Sequence, residues 1–265
     1  MTVKILFLKQ LRKQVMDYIK SGISELDTEI SINNKREDLI QANILSEADI
    51  IIGWRIPLKL LKKAKNLKLF INPGAGVQQH IQNFQKINKT RKIILVNGHG
   101  NSYLTAQQGV ALLLSLTNRI INHHLWMCAG KWRTGDREAP SIPLRNRRIG
   151  LLGYGAVNSK VHKFLSGFNN RFAVLRCNHR NTEKYPTPIQ KFTLQNKDSF
   201  FKNIDTLIAA IPLKENTKNF ITEKELKLLG KKGLLVNIAR GEIINQKDLY
   251  HALKNQQIKA AAIDV

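Results

Sequence analysis

Acidic residues are scarce in this chain: 19 Asp and Glu stand against 43 Lys and Arg in 265 residues, a formal charge of +24. Cysteine is nearly missing. Cys128 and Cys177 lie too far apart for a paired metal-ligand motif, which excludes a disulfide scaffold or zinc knuckle and fits a reducing compartment. No metal site is readable. No apolar run spans a bilayer: VKILFL at Val3 gives way to Lys9, Arg12 and Lys13 without a small-residue cleavage site, so a cytoplasmic address and no membrane partner are expected. Internal repeats and low-complexity tracts are lacking as well. The positive field would concentrate anionic ligands and attract nucleic acid non-specifically. Basic residues are nevertheless spread from Lys4 to Lys259 with no zinc-finger or helix-turn-helix signature, so a nucleic-acid partner is not expected. Lys59, Lys62, Lys63, Lys65 and Lys68 alternate with Leu58, Leu60, Leu61, Leu67 and Leu69, which reads as an exposed helix face.

What the chain does have is alternation. With 43% hydrophobic residues it can bury a substantial core, and its length suits two domains, placed at 1–98 and 99–265. VKILFL, ADIIIGW, LKLFI and KIILVN read as short buried strands in the first unit. A long apolar segment follows, TAQQGVALLLSLTNRIINHHLWM, read as one linking helix on the spacing of Ala106, Val110, Leu113, Leu114 and Thr117. The second unit offers strands at Ile149–Leu152, Phe172–Leu175, Thr206–Ile211, Leu234–Ile238 and Ala260–Ile263. Thr222 with Glu225 is a capping box closed by Gly230, and Asn245 opens another helix. Strand and helix in turn mean a doubly wound α/β fold with a parallel sheet.

Two segments carry chemistry. In IGLLGYGAVNSKVHKFL an apolar strand runs into Gly153 and Gly155 and then a helix faced by Val157, Val161, Phe164 and Leu165, the build of a pyrophosphate pocket. A third glycine would normally follow. Asn158 stands there instead, and its larger side chain should loosen the helix against the sheet. The next strand, FAVLRCNHRN, ends without the usual acid: Asn178 lies 25 residues after Gly153 beside Arg176, His179 and Arg180, a setting better suited to a 2′-phosphate than to a bare ribose, so NAD or NADP is the expected cofactor. In LLVNIARG, Arg240 ends another apolar strand. Its guanidinium can hold a carboxylate at two points and polarise a neighbouring carbonyl.

Taken in order, PGAGV at Pro73, HGNSYLTAQ at His99, GKW at Gly130, LLGYGAVN, IPLKENTKNFI from Ile211, NIARG and AAIDV resemble the D-isomer-specific 2-hydroxyacid dehydrogenase family over nearly the whole chain. The resemblance implies a flavodoxin-like substrate domain and a Rossmann cofactor domain whose last elements are missing here. It implies that the backbone amides of Ala75, Gly76 and Val77 bind the carboxylate of a small 2-oxo or 2-hydroxy acid, and that Arg240 is the catalytic arginine. Gly153, Tyr154, Gly155, Ala156, Val157 and Asn158 would cradle the dinucleotide, with Asn178 and Arg180 at its adenosine end. Ile211, Pro212, Thr217, Ile238, Ala239 and Arg240 would line the rest of the cleft, and Asp264 would meet the nicotinamide carboxamide. A homodimer is expected.

Departures from the family are Gln107 for a glutamate, Gln78 for an aspartate and Asn158 for the third glycine. The family's catalytic glutamate and acid/base histidine lie beyond Asp264, so slow turnover by these residues is the expectation, since a positioned acid contributes roughly 10²–10⁴ in rate. The alternatives are a non-catalytic, dinucleotide-sensing protein like the family's corepressor relatives, or a truncated pseudoenzyme. Among the histidines, His123, His124, His251 and His162, the last on the outer face of the cofactor helix, read as structural or solvated. His99 is kept as a candidate in the HGNS loop. Trp126 and Trp132 read as packing residues.

Overall fold

The computed structural model describes residues 2–33, 41–132, 140–179 and 184–265. They form two compact units, Met1–Asn101 and Ser102–Val265.

In the first unit, strands β1 (Val3–Phe7), β2 (Thr28–Ile32), β3 (Ile50–Ile52), β4 (Leu69–Asn72) and β5 (Ile94–Asn97) alternate with helices α1 (Lys13–Gly22), α2 (Ala42–Glu47), α3 (Leu58–Lys63) and α4 (Gln78–Ile87). All pairings are parallel, in the order β2-β1-β3-β4-β5, the flavodoxin-like order. The two-residue period of a strand explains why both faces are apolar: Leu6 and Leu8 join Ile51, Leu61, Phe70 and Phe84 on one side, while Ile5 and Phe7 pack with Met16 on the other.

The second unit holds β6 (Arg148–Leu152), β7 (Arg171–Leu175), β8 (Ile189–Phe192), β9 (Thr206–Ala209), β10 (Leu234–Asn237) and β11 (Ala260–Ile263). Its helices are α5 (Ser102–Thr117), α6 (Ile120–Cys128), α7 (Asn158–Leu165), α8 (Lys197–Asn203), α9 (Glu223–Leu229) and α10 (Gln246–Lys254). The sheet is parallel throughout, in the order β8-β7-β6-β9-β10-β11. Renumbered within the unit this is 3-2-1-4-5-6, the dinucleotide-binding arrangement with its topological switch between β6 and β9.

Local chemistry sets the helix ends. Thr222 donates its backbone N–H to Glu225 Oε2 at 2.8 Å, closing the capping box of α9, and Gly230 ends that helix at φ 77°. Glu225 is buried, and Lys197 Nζ neutralises it at 3.0 Å. Asn245 caps α10 by accepting from the amides of Lys247 and Asp248. Each such cap contributes about 1 kcal/mol.

Several expectations change. Neither β2 nor β8 was read from sequence; both are edge strands whose residues are half-buried or exposed, so they lack the apolar run that marks the inner strands. The linking helix is two helices, because Arg119 adopts a left-handed conformation at φ 54° between α5 and α6. The Leu58–Leu69 segment is helical only to Lys63, and Leu69 already begins β4.

Candidate functional site

In the second unit the strand register lines up Leu152, Ala209, Asn237 and Ile263 at the carboxyl edge of β6, β9, β10 and β11. Neighbouring strands lie about 4.8 Å apart, so the segments that follow emerge side by side: Gly153–Val157, Ala210–Thr217, Ile238–Arg240 and Asp264. The expected cofactor residues of these four segments therefore share one rim of one sheet.

Gly153 turns the chain at φ 80°, where a β-carbon would meet Ile211 Cγ2 at 2.6 Å and the Ala210 carbonyl at 3.0 Å. Gly155 differs: a β-carbon there would enter open space, which is the room a phosphate needs beside the start of α7. Asn158 reverses the expectation made of it. Its side chain is fully buried, and Nδ2 donates to the carbonyls of Leu152 at 3.0 Å, Gly153 at 2.8 Å and Ile208 at 3.4 Å. The amide pins α7 to the ends of β6 and β9 instead of loosening it, and that side chain is not presented to a ligand. Tyr154 is buried as well, its hydroxyl 2.9 Å from His162 Nδ1. His162 is thus not on an outer face: it is fully buried, lies 2.8 Å from Thr187 Oγ1 and packs on Phe172 with ring centroids 4.1 Å apart. Burial pushes its pKa down to about 4, so it is neutral.

The turn after β10 is held by Asn237, a residue the sequence reading did not single out. Fully buried, it donates from Nδ2 to the Arg240 carbonyl at 2.9 Å and accepts the Ala239 amide at 3.0 Å. Ile238 and Ala239 are buried and Arg240 is exposed, its Nη1 2.6 Å from the Ala239 carbonyl. After β9, Thr217 Oγ1 donates to the Pro212 carbonyl at 2.8 Å and accepts the Lys214 amide at 2.7 Å, so its hydroxyl closes the loop. Asp264 Oδ1 takes a bond from Gln108 Nε2 at 3.3 Å, and the Asp264 amide donates to the Asn237 carbonyl at 3.0 Å. Beyond β7, Asn178 is exposed and His179 is tied through Nε2 to the Phe192 carbonyl at 2.9 Å. Arg180 lies outside the described residues.

In the first unit, Asn72 ends β4 fully buried and donates to the carbonyls of Gly74 at 2.6 Å and Gly76 at 2.9 Å. Asn97 Nδ2 holds the Ala75 carbonyl at 2.8 Å. With three successive carbonyls bonded by side-chain amides, the N–H groups of Ala75, Gly76 and Val77 have no acceptor among the described residues. A run of such amides is an anion-binding concavity. His99 Nε2 lies 3.5 Å from Asn97 Nδ2. His80, also not singled out from sequence, is buried behind the turn with Nε2 3.1 Å from the Trp54 carbonyl; burial first, and Arg55 beside it, lower its pKa.

Comparison with known proteins now bears on this geometry. Residues 110–265, more than half of the chain, match the family description "D-isomer specific 2-hydroxyacid dehydrogenase, NAD binding domain". The chain belongs to that family. It is 26% identical over 99% of its length to a D-3-phosphoglycerate dehydrogenase of Archaeoglobus fulgidus, of which it spans 48%, about half. With a glyoxylate reductase of Pyrococcus furiosus it shares 26% identity over 93% of this chain and 76% of the relative. Among solved structures, an NADPH-dependent glyoxylate/hydroxypyruvate reductase from Sinorhizobium meliloti with citrate aligns at TM-score 0.76 and 22% identity, covering 99% of this chain and 80% of that one. A D-isomer specific 2-hydroxyacid dehydrogenase from Lactobacillus delbrueckii, in NAD-complexed form, aligns at TM-score 0.79 and 20% identity, covering 99% and 78%. At those identities the likeness establishes the fold.

Residues 110–265 thus form an NAD binding domain by family, and the rim fits a dinucleotide: a turn open at Gly155, a helix start beyond it, and an exposed guanidinium two strands away. Among the described residues no cluster of three or more His, Cys, Asp or Glu is arranged to hold a metal, and no helix is long and apolar enough to cross a membrane. Asn72 and Asn237 were open to detection in the sequence. Each is a polar residue closing an apolar strand just ahead of a family motif, in INPGAG and VNIARG.

Proposed function

We propose that the protein interconverts a small 2-oxo acid and the corresponding D-2-hydroxy acid with NAD(P)H, as the family resemblance expects. The observation that carries this reading is the rim itself: Gly155 leaves open space at the end of β6, and on the same rim Arg240 stands exposed on a turn braced by buried Asn237. When bound, the nicotinamide supplies or takes the hydride. Arg240 holds the substrate carboxylate and polarises its carbonyl. In the first unit, the amides of Ala75, Gly76 and Val77 are assigned to carboxylate binding, as the family resemblance implies.

Reduction leaves an alkoxide that must take up a proton. His99, beside the nest through Asn97, is the first donor to test. The basic surroundings of Asn178 favour NADPH over NADH. Supporting a homodimer, α6 carries Ile121, Leu125 and Met127 exposed and has no buried residue, an apolar face suited to a second copy.

Fluorescence titration with NADH and NADPH tests the reading. Saturable binding is expected, weakened at least tenfold by Gly155→Val, since a branched side chain enters the phosphate space. Glyoxylate or hydroxypyruvate reduction, at whatever rate, should vanish with Arg240→Ala and not return with Arg240→Lys, which lacks the planar fork. Absence of saturable dinucleotide binding would sink the proposal. Binding without any Arg240-dependent turnover would favour the sensing alternative.

A further inference from the structure

The redox reading leaves most of the +24 charge without a role, and that charge is unevenly placed. Between Asp49 and Asp136 the sequence contains no acidic residue. Within this stretch, Lys62 and Lys63 end α3, Lys65 and Lys68 precede β4, Lys86 ends α4, and Lys89, Arg91 and Lys92 precede β5. In a parallel sheet these positions fall at the starting edge of the strands, opposite the edge that carries the Gly74–Val77 turn. The first positions of β3, β4 and β5 are in register there, Ile50 beside Leu69 beside Ile94, and the nearby Asp49 is engaged by Lys68 at 2.9 Å.

A cavity of about 560 Å³ opens at this edge, lined by Lys62, Lys65, Lys86 and Arg91 with Leu58 and Ile87. No carboxylate among the described residues pairs with any of its four cations. Two helix C-termini each contribute roughly −0.5 charge, so about three positive charges remain uncompensated. Arg91 is half-buried, and burial pulls its guanidinium below the ordinary value. It bonds only carbonyls, Lys65 at 2.5 Å and Leu61 at 2.6 Å. Two of its five N–H donors are thus committed to the backbone. The other three charges lining the cavity are lysine ammonium groups, which bind phosphate oxygens as point charges. Several uncompensated cations around one cavity suit a ligand that itself carries several negative charges.

We propose that this cavity is an anion site, separate from the redox site, for a small molecule carrying two or more phosphate groups.

Calorimetric titration of the full chain with inorganic tripolyphosphate, with and without NADH, tests it. One-to-one saturable binding is expected, unaffected by NADH, with citrate at least tenfold weaker. Lys62→Gln/Lys86→Gln should weaken tripolyphosphate at least tenfold while leaving NADH affinity unchanged; both side chains are exposed, so the fold is expected to persist. Lys13→Gln/Lys20→Gln on α1, which removes the same net charge elsewhere, should leave it unchanged. The site is refuted by equal binding of citrate, by equal loss in the two double variants, by displacement with NADH, or by several phosphates bound per chain. A short DNA duplex that binds more tightly than tripolyphosphate through the same lysines would also overturn it, in favour of a nucleic-acid surface. The titration without NADH reads this cavity whether or not the protein is a dehydrogenase.

Discussion

Asn72 and Asn237 occupy equivalent places in two different sheets. Each ends the strand next to a sheet edge, β4 beside β5 and β10 beside β11, and each is fully buried. Even their carbonyls do the same work, accepting the amide of the residue just past the edge strand: Gly98 at 2.9 Å and Asp264 at 3.0 Å. Their side chains part company. Asn72 spends its amide on two carbonyls and leaves Oδ1 without a partner among the described residues. Asn237 bonds one carbonyl and one amide. The first pattern turns carbonyls inward and leaves main-chain N–H groups for a ligand. The second closes the turn on itself, so only a side chain, Arg240, is left to present. One brace thus offers backbone and the other offers a functional group.

Breaking the second brace should have the larger effect. Asn237→Leu frees the turn and lets Arg240 drift; since a displacement of about 1 Å can lower rate roughly 10²-fold, kcat/KM for glyoxylate should fall by that order while NADH affinity, read by fluorescence, holds. An unchanged kcat/KM would remove Asn237 from the positioning of Arg240.

Each turn also has a buried histidine behind it, His162 for the glycine turn and His80 for the Gly74–Val77 turn, and acid should expose the difference. The His162 pKa is about 4 in the fold against about 6.5 unfolded. Between these values the unfolded chain binds more protons, so stability is fully present above about pH 6.5 and declines as pH falls through 4, by about 3 kcal/mol in all. His80 adds a change of the same sign. Urea midpoints across this range should slope for the native chain and slope less in His162→Gln, with the His80 contribution remaining; an identical slope would assign the loss to other groups.

Asn72→Asp should come next. It sets an acceptor against the Gly74 and Gly76 carbonyls, with about 1–3 kcal/mol lost on denaturant unfolding and a raised KM for the oxo acid. A raised KM without loss of kcat would separate this backbone brace from the Asn237 one. Asn245→Ala, which removes an ordinary cap far from either turn's chemistry, serves as the baseline: about 1 kcal/mol and no kinetic change.

Much of this was legible in the chain. The inner strands of both sheets are apolar on both faces and read directly, and the caps at Thr222 and Asn245 are short-range chemistry. The edge strands β2 and β8 were missed because one-sided burial leaves them polar. Arg119 gave no signal of its left-handed bend, being neither Gly nor Asn. In the site, Gly153, Gly155 and Arg240 were readable because their chemistry is their own. Asn72 and Asn237 are signalled only by their place at the end of an apolar strand beside a motif, whereas His80 and His162 act through partners distant in sequence, and their burial is a tertiary fact that no local pattern encodes.

Asn158 has a consequence for anyone engineering this chain toward its relatives. Restoring the family's third glycine is the substitution a consensus library would make first, and here it would strip three strand-end carbonyls of one shared donor. At this position the residue that fits the family pattern would be the damaging one. Moving Asn158 toward that pattern requires the strand ends and the helix approach to change with it.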